Sequence, residues 1–102
     1  MAKLVALYAT PADPIAFETH YFSKHLPLAK QLPGLTRYEV SSGPIKTPGG
    51  ESRYHFAAIL SFDSNAAMRQ ALRSREGQAA AADVSNFAHA GVDLLLFDSK
   101  EV

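Results

Sequence analysis

Every strand-like segment of this chain carries apolar side chains at both parities, and that pattern constrains the fold more than anything else in it. Val5 and Leu7 alternate with Leu4 and Ala6, and Phe56 and Leu60 alternate with Ala57 and Ile59. Successive side chains of a strand point to opposite faces of its sheet, so a sheet built from these segments has to bury both faces. A chain of 102 residues provides for one domain and one core, because two cores would leave neither adequately buried. Whatever covers the second face must then come from outside the first layer of helices.

Local punctuation supplies the order of elements. Lys3 to Tyr8 is a short apolar strand closed by Thr10 and Pro11. Asp13 followed by Pro14 is a helix start, since the carboxylate accepts from free amides of the first turn and proline lacks the amide hydrogen that this turn leaves unused. That helix is expected to run to Lys24 or His25, with a kink or break near Leu26 imposed by Pro27. A further helical piece follows from Leu26 to Leu32, stopped by Pro33 and Gly34. Leu35 to Ser42 and Tyr54 to Phe62 read as strands of a hairpin joined by the long loop Gly43 to Arg53. Ser64 caps a second helix, and Ser74 recaps a continuation to Phe87. Val92 to Asp98, with Leu94, Leu95, Leu96 and Phe97, reads as a strand buried between neighbours. The sequence of elements is βαββαβ, an α+β ferredoxin-like pattern with two helices on one face of a four-stranded antiparallel sheet. With the helices used on one face, a second copy of the chain is the simplest cover for the other, which predicts a homodimer.

Composition removes several classes of function. Lys plus Arg and Asp plus Glu both number 10, so the net charge is +0 and no basic excess favours nucleic acid or an anionic membrane. The chain has no cysteine, which rules out disulfides, thiolate nucleophiles and cysteine-ligated metals. The N-terminal run is neither a secretory signal nor a spanning segment, so a cytoplasmic location is expected. No glycine-rich phosphate loop and no nucleophile elbow are present. The four histidines lack metal-ligand spacing, and no metal or cofactor is expected.

The first helix holds the candidate chemistry. At about 100° per residue, Ile15, Phe17, Tyr21, Phe22, Leu26 and Leu28 share a broad sector, opposite Ala16, Thr19, His20, Ser23 and Lys24. Glu18 and His25 fall inside the apolar sector beside Tyr21. A carboxylate, a phenol and an imidazole meeting at a dry surface could exchange protons with a ligand. The same pattern also allows Glu18 to snorkel outward while Tyr21 and His25 bond loop carbonyls from a filled core. His20 and His89 read as solvated. Strand parity leaves open whether Tyr38 and His55 face the helices or the partner.

The run from Phe17 to Val40, FETHYFSKHLPLAKQLPGLTRYEV, resembles the EthD family, with its aromatics, a His followed by x-Pro-Leu, then Pro-Gly-Leu and a Tyr-containing strand. Phe62 to Ala88 is similar to the same family, including Ser74-x-Glu76-Gly77 and Asp83-Val84-x-Asn86-Phe87. The resemblance implies a dimeric α+β barrel, a superfamily that includes cofactor-free monooxygenases, lactone isomerases, polyketide cyclases and haem proteins. The order of His25, Tyr38 and His55 is similar to the histidine, tyrosine and histidine of methylmuconolactone isomerases. The resemblance therefore suggests a small-molecule pocket between helix and sheet, with His25, Tyr21, Tyr38 and His55 as catalytic candidates. Phe17, Glu18, Phe22, Ile59 and Phe97 would contact the ligand, a lactone, aromatic or polyketide-type compound. The competing expectation is a non-catalytic accessory or ligand-binding protein acting beside an oxygenase system.

Overall fold

The computed structural model describes all 102 residues. Strand β1 (Ala2–Ala9) leads to a helical path that starts at α1 (Pro14–His20), passes through one π-helical turn (Tyr21–His25) and ends in α2 (Leu26–Ala29). Strand β2 (Leu35–Val40) is followed by a two-residue ribbon, β3 (Lys46–Thr47) with β4 (Gly50–Glu51), and then by β5 (Tyr54–Phe62). Helices α3 (Asn65–Arg73) and α4 (Arg75–Asp83), a 3-10 turn (Val84–Asn86) and β6 (Val92–Asp98) complete the chain. The main sheet has the order β2-β5-β1-β6, antiparallel throughout. This is the expected ferredoxin-like α+β arrangement, with the helices on one face. No helix is long and apolar enough to cross a membrane.

The caps work as their residue types demand. Asp13 Oδ1 accepts from the Ala16 amide at 3.0 Å, and Ser64 Oγ accepts from Ala67 at 3.1 Å. Ser74 ends α3 and starts α4: its Oγ accepts from the Gly77 amide at 3.0 Å. This turn folds α4 back so tightly that a Cβ at Gly77 would run into the Ala71 and Leu72 carbonyl oxygens. Only glycine allows that approach.

Two expectations need correction. Of the kink or break expected near Leu26, the break does not occur, and the helical path continues through Pro27. The turn before it widens instead, the Leu26 amide reaching back five residues to the Tyr21 carbonyl, and this relieves the clash a proline ring makes with the carbonyl four residues earlier. The widening also matters for what faces inward. Steps of four residues drift around a helix of ~3.6 residues per turn, and one wider turn offsets the drift, so Phe17, Tyr21, His25 and Ala29 all remain buried. The second correction concerns β6. It is an edge strand, not a central one, and Leu94, Leu95, Leu96 and Phe97 are exposed in the single chain.

Residues opposite each other on antiparallel strands share a face. Leu4, Ala6 and Tyr8 of β1 and Phe56, Ala58 and Leu60 of β5 face the helices and are buried. On the other face, Ile59, Val5 and Leu95 form one row across three strands, and Ser61, Lys3 and Phe97 form the next. Ile59, Leu95 and Phe97 are exposed there. The two-parity pattern is therefore real, and within one chain only half of it is satisfied.

Candidate functional site

Five aromatic rings, Tyr8, Phe17, Tyr21, Phe56 and Phe87, pack between the first helix and the sheet, with centroid separations from 4.6 Å to 6.2 Å. Beside them opens a cleft floored by Leu4, Ala6, Ala58 and Leu60 and walled by Tyr21, His25 and Tyr38 from one side and by α4 from the other. It holds about 90 Å³. Its lining is apolar except for the His25 ring and the hydroxyls of Tyr8, Tyr21 and Tyr38, and it contains no Lys or Arg.

His25 is 6% exposed, and its Nδ1 lies 3.1 Å from Asp83 Oδ2. Asp83, at the C-terminus of α4, is 8% exposed. It also receives His20 Nε2 at 2.9 Å on Oδ1 and Asn86 Nδ2 at 3.0 Å on the same oxygen. Burial alone would raise the Asp83 pKa, but donors from Asn86, His20 and His25 together outweigh it and hold the carboxyl below its usual value. Asp83 is thus an anion that only accepts, so the proton of a neutral His25 sits on Nδ1. Burial lowers the His25 pKa, against the pull of Asp83 and with a small push from His20. The imidazole is accordingly neutral near pH 7, and its Nε2, which has no partner in the chain, carries a lone pair. Phe87 fixes both rings, tilted against His25 at 4.8 Å and stacked on His20 at 5.2 Å.

The Tyr21 and Tyr38 hydroxyls are 2.5 Å apart and share one hydrogen bond. Burial raises the pKa of both, and of Tyr8, so all three stay protonated well above neutral pH.

The structure thus brings together His25, Tyr21 and Tyr38 and separates the other candidates from them. Glu18 is exposed, its carboxylate 4.0 Å from His55 Nε2. His55 stands at a β-bulge where β5 slips register against Tyr8 and Ala9. The bulge turns it toward the first helix, edge-on to Phe17 at 5.4 Å. It lines a separate polar hollow with Glu18, Thr10, Ser41, Glu51 and Ser52, not the cleft. Phe22 is 46% exposed and, like the exposed Ile15, lies outside the cleft. Phe17 packs within the aromatic core and does not line the cleft, while Ile59 and Phe97 occupy the opposite face of the sheet, so none of the three forms the expected wall. His20 is not merely solvated, since it holds Asp83; His89 is exposed, as expected.

Asp83 and Tyr8 are the functional candidates that reading residue types alone missed. A carboxylate at a helix C-terminus faces the unfavourable end of the macrodipole, and that misfit was a usable signal. The expectation that α4 continued to Phe87 hid it by placing Asp83 a turn inside the helix.

The EthD domain model matches residues 9–91. A Rhodococcus erythropolis protein, described as an uncharacterized 11.0 kDa protein in the thcB-thcC intergenic region, is 43% identical over all of this chain and 98% of its own. The crystal structure of an EthD family protein from Bacillus halodurans superposes with a TM-score of 0.90 at 35% identity, covering 98% of this chain and 99% of that one. SnoaB from Streptomyces nogalater, a cofactor-independent oxygenase, shares the fold with a TM-score of 0.70 at 17% identity, covering 99% and 94%.

Proposed function

The chain belongs to the EthD family, and from that premise we propose that it is a homodimeric cytoplasmic protein whose helix–sheet cleft performs cofactor-free acid–base chemistry on a small lactone, aromatic or polyketide-type compound. The observation that carries this reading is the anchoring of His25 Nδ1 on Asp83 in a ring that lines an apolar, phenol-lined cleft and whose Nε2 makes no bond within the chain. In that arrangement Nε2 removes a proton from a carbon next to a carbonyl. The electron pair moves onto the carbonyl oxygen, where a hydroxyl of the Tyr21–Tyr38 pair donates to the developing charge. Return of the proton at another carbon gives isomerisation. Attack of the carbanion on a second carbonyl gives cyclisation, and its reaction with dioxygen gives oxygenation. SnoaB, as a cofactor-independent oxygenase on the same fold, is consistent with the last route.

The dimer reading rests on the bare row of Ile59, Val5 and Leu95 beside Phe97. Apolar side chains left bare beside the charged Lys3, Arg37 and Glu39 of the same rows are what a second copy covers.

The slimness of the cleft favours one further reading. Its free space of about 90 Å³ falls short of the ~300 Å³ common for ligand sites, and a protein that binds without turnover, acting beside an oxygenase, needs no room for a reaction path. Deuterium exchange separates the two readings. An enolisable ketone or lactone incubated with the protein in D2O exchanges its acidic C–H under the catalytic reading, and His25→Asn abolishes this. Binding without exchange supports the accessory reading, and neither binding nor exchange contradicts both.

A further inference from the structure

Tyr8 is 2% exposed, lines the cleft from β1, and its hydroxyl makes no hydrogen bond within the chain. Its donor is unused within the chain, and a ligand in the cleft would supply the acceptor. The other polar atoms of the cleft can be counted in the same way. Tyr21 and Tyr38 spend one hydroxyl proton on each other and keep one between them. His25 spends Nδ1 on Asp83 and keeps Nε2. The cleft therefore offers a ligand two hydroxyl donors, from Tyr8 and from the tyrosine pair, and one nitrogen acceptor. It offers no cation: no Lys or Arg lines it, and the Asp83 carboxylate stands behind His25.

We infer that the cleft selects uncharged ligands, and specifically a flat or slender apolar skeleton bearing both a hydroxyl or enol and an oxygen acceptor, and that Tyr8 is a specificity-determining contact. This rests on the reading of the cleft as a small-molecule site and narrows it by excluding carboxylates and phosphates. An anion entering this space loses its water shell and meets no compensating charge. Asp83, already negative, repels it. A neutral phenol or enol instead donates its O–H to His25 Nε2 while a ligand oxygen accepts a hydrogen bond from Tyr8. Acids of the same shape are turned away by the want of a partner, not by size.

Two probes of nearly the same shape, 2-naphthol and 2-naphthoate, test this at pH 7 by fluorescence titration of the intact dimer. The naphthol is expected to bind at least about tenfold more tightly than the naphthoate. Tyr8→Phe, checked for an unchanged melting temperature, should weaken naphthol binding by about tenfold, the scale of one buried hydrogen bond to a ligand, and leave the weak naphthoate binding alone. Leu94→Lys, at the half-open rim of the cleft on β6, brings in the missing cation and should reverse the preference. Equal binding of both probes by the wild-type protein, with both lost in His25→Trp, would overturn the inference of neutrality while keeping the cleft as a ligand site. Binding of neither probe would overturn both. Should Tyr8→Phe fail to fold, the wild-type comparison and the Leu94→Lys reversal decide the matter without it.

Discussion

His25 and His55 make an instructive pair. Each imidazole lies against aromatic rings and near a carboxylate, and each lines a hollow, yet their surroundings differ in every respect that matters for chemistry. The hollow at His55 is the larger, about 380 Å³ against about 90 Å³. Its carboxylate, Glu18, is half exposed and 4.0 Å away, and His55 Nε2 is buried without a partner. At His25 the carboxylate is buried, ionised and held by three donors, so one nitrogen is fixed and the other is left without a partner on a ring that lines the cleft. Volume marks a place where something could fit. A fixed tautomer beside protonated phenols marks a place where a proton can be moved.

The largest test of that contrast is Asp83→Ala. It removes the acceptor of both histidines and should cost about 3 kcal/mol of stability, because the buried His25 N–H, the half-buried His20 donor and the Asn86 donor lose an ionised partner; denaturant midpoints at constant m-value measure it. Gly77→Ala comes next, at about 2 kcal/mol, since it pushes α4 off α3 and moves Asp83 with it. If this variant keeps full stability, the tight Ser74 turn is not what positions Asp83.

Acid pH should act on the same site in two steps. The His25 pKa lies below its usual 6.5 in the folded chain, so between those two values the unfolded state binds more protons and stability falls as pH drops below 6.5. Asp83, also depressed, keeps its contribution above 3.8 and loses it as pH falls through its folded value. Melting temperatures from pH 8 to 3 should show both losses, and His25→Asn should erase the upper one. The smallest effect is expected at the other histidine. His55→Phe keeps the edge contact with Phe17 and deletes an orphaned nitrogen, so stability should change by no more than about 0.5 kcal/mol in the stabilising direction. A large loss there would mean that the Glu18 contact matters more than its length suggests.

The legibility of the sequence followed the same division. Element order was readable because Asp13-Pro14, Pro33-Gly34, Ser64, Ser74 and Gly91 punctuate the chain by local chemistry, and local chemistry needs no knowledge of partners. The two-faced sheet was readable from strand parity. Three things were not. The widened turn before Pro27 substitutes for a break, and both satisfy the same proline. The bulge at His55 overrides parity through a register slip that no side chain announces. The role of Asp83 depends on His20 and His25, more than fifty residues away, and on a helix ending at Asp83 and not at Phe87. Beside the misfit of a carboxylate at a helix C-terminus, its trace was the Asp83-Val84-x-Asn86-Phe87 pattern, now seen as a carboxylate, one of its donors and the ring that orients both histidines.

The most direct test of the account is the protonation state of His25, read from two-bond nitrogen–proton correlations of the imidazoles at pH 7 in the wild type and assigned with His25→Asn. A neutral ring protonated at Nδ1, with a titration midpoint below that of an ordinary histidine, is the result expected for a base held by Asp83 in the wall of the cleft. A ring protonated at Nε2, or charged at pH 7, would leave no lone pair on Nε2 and would contradict the proposed chemistry.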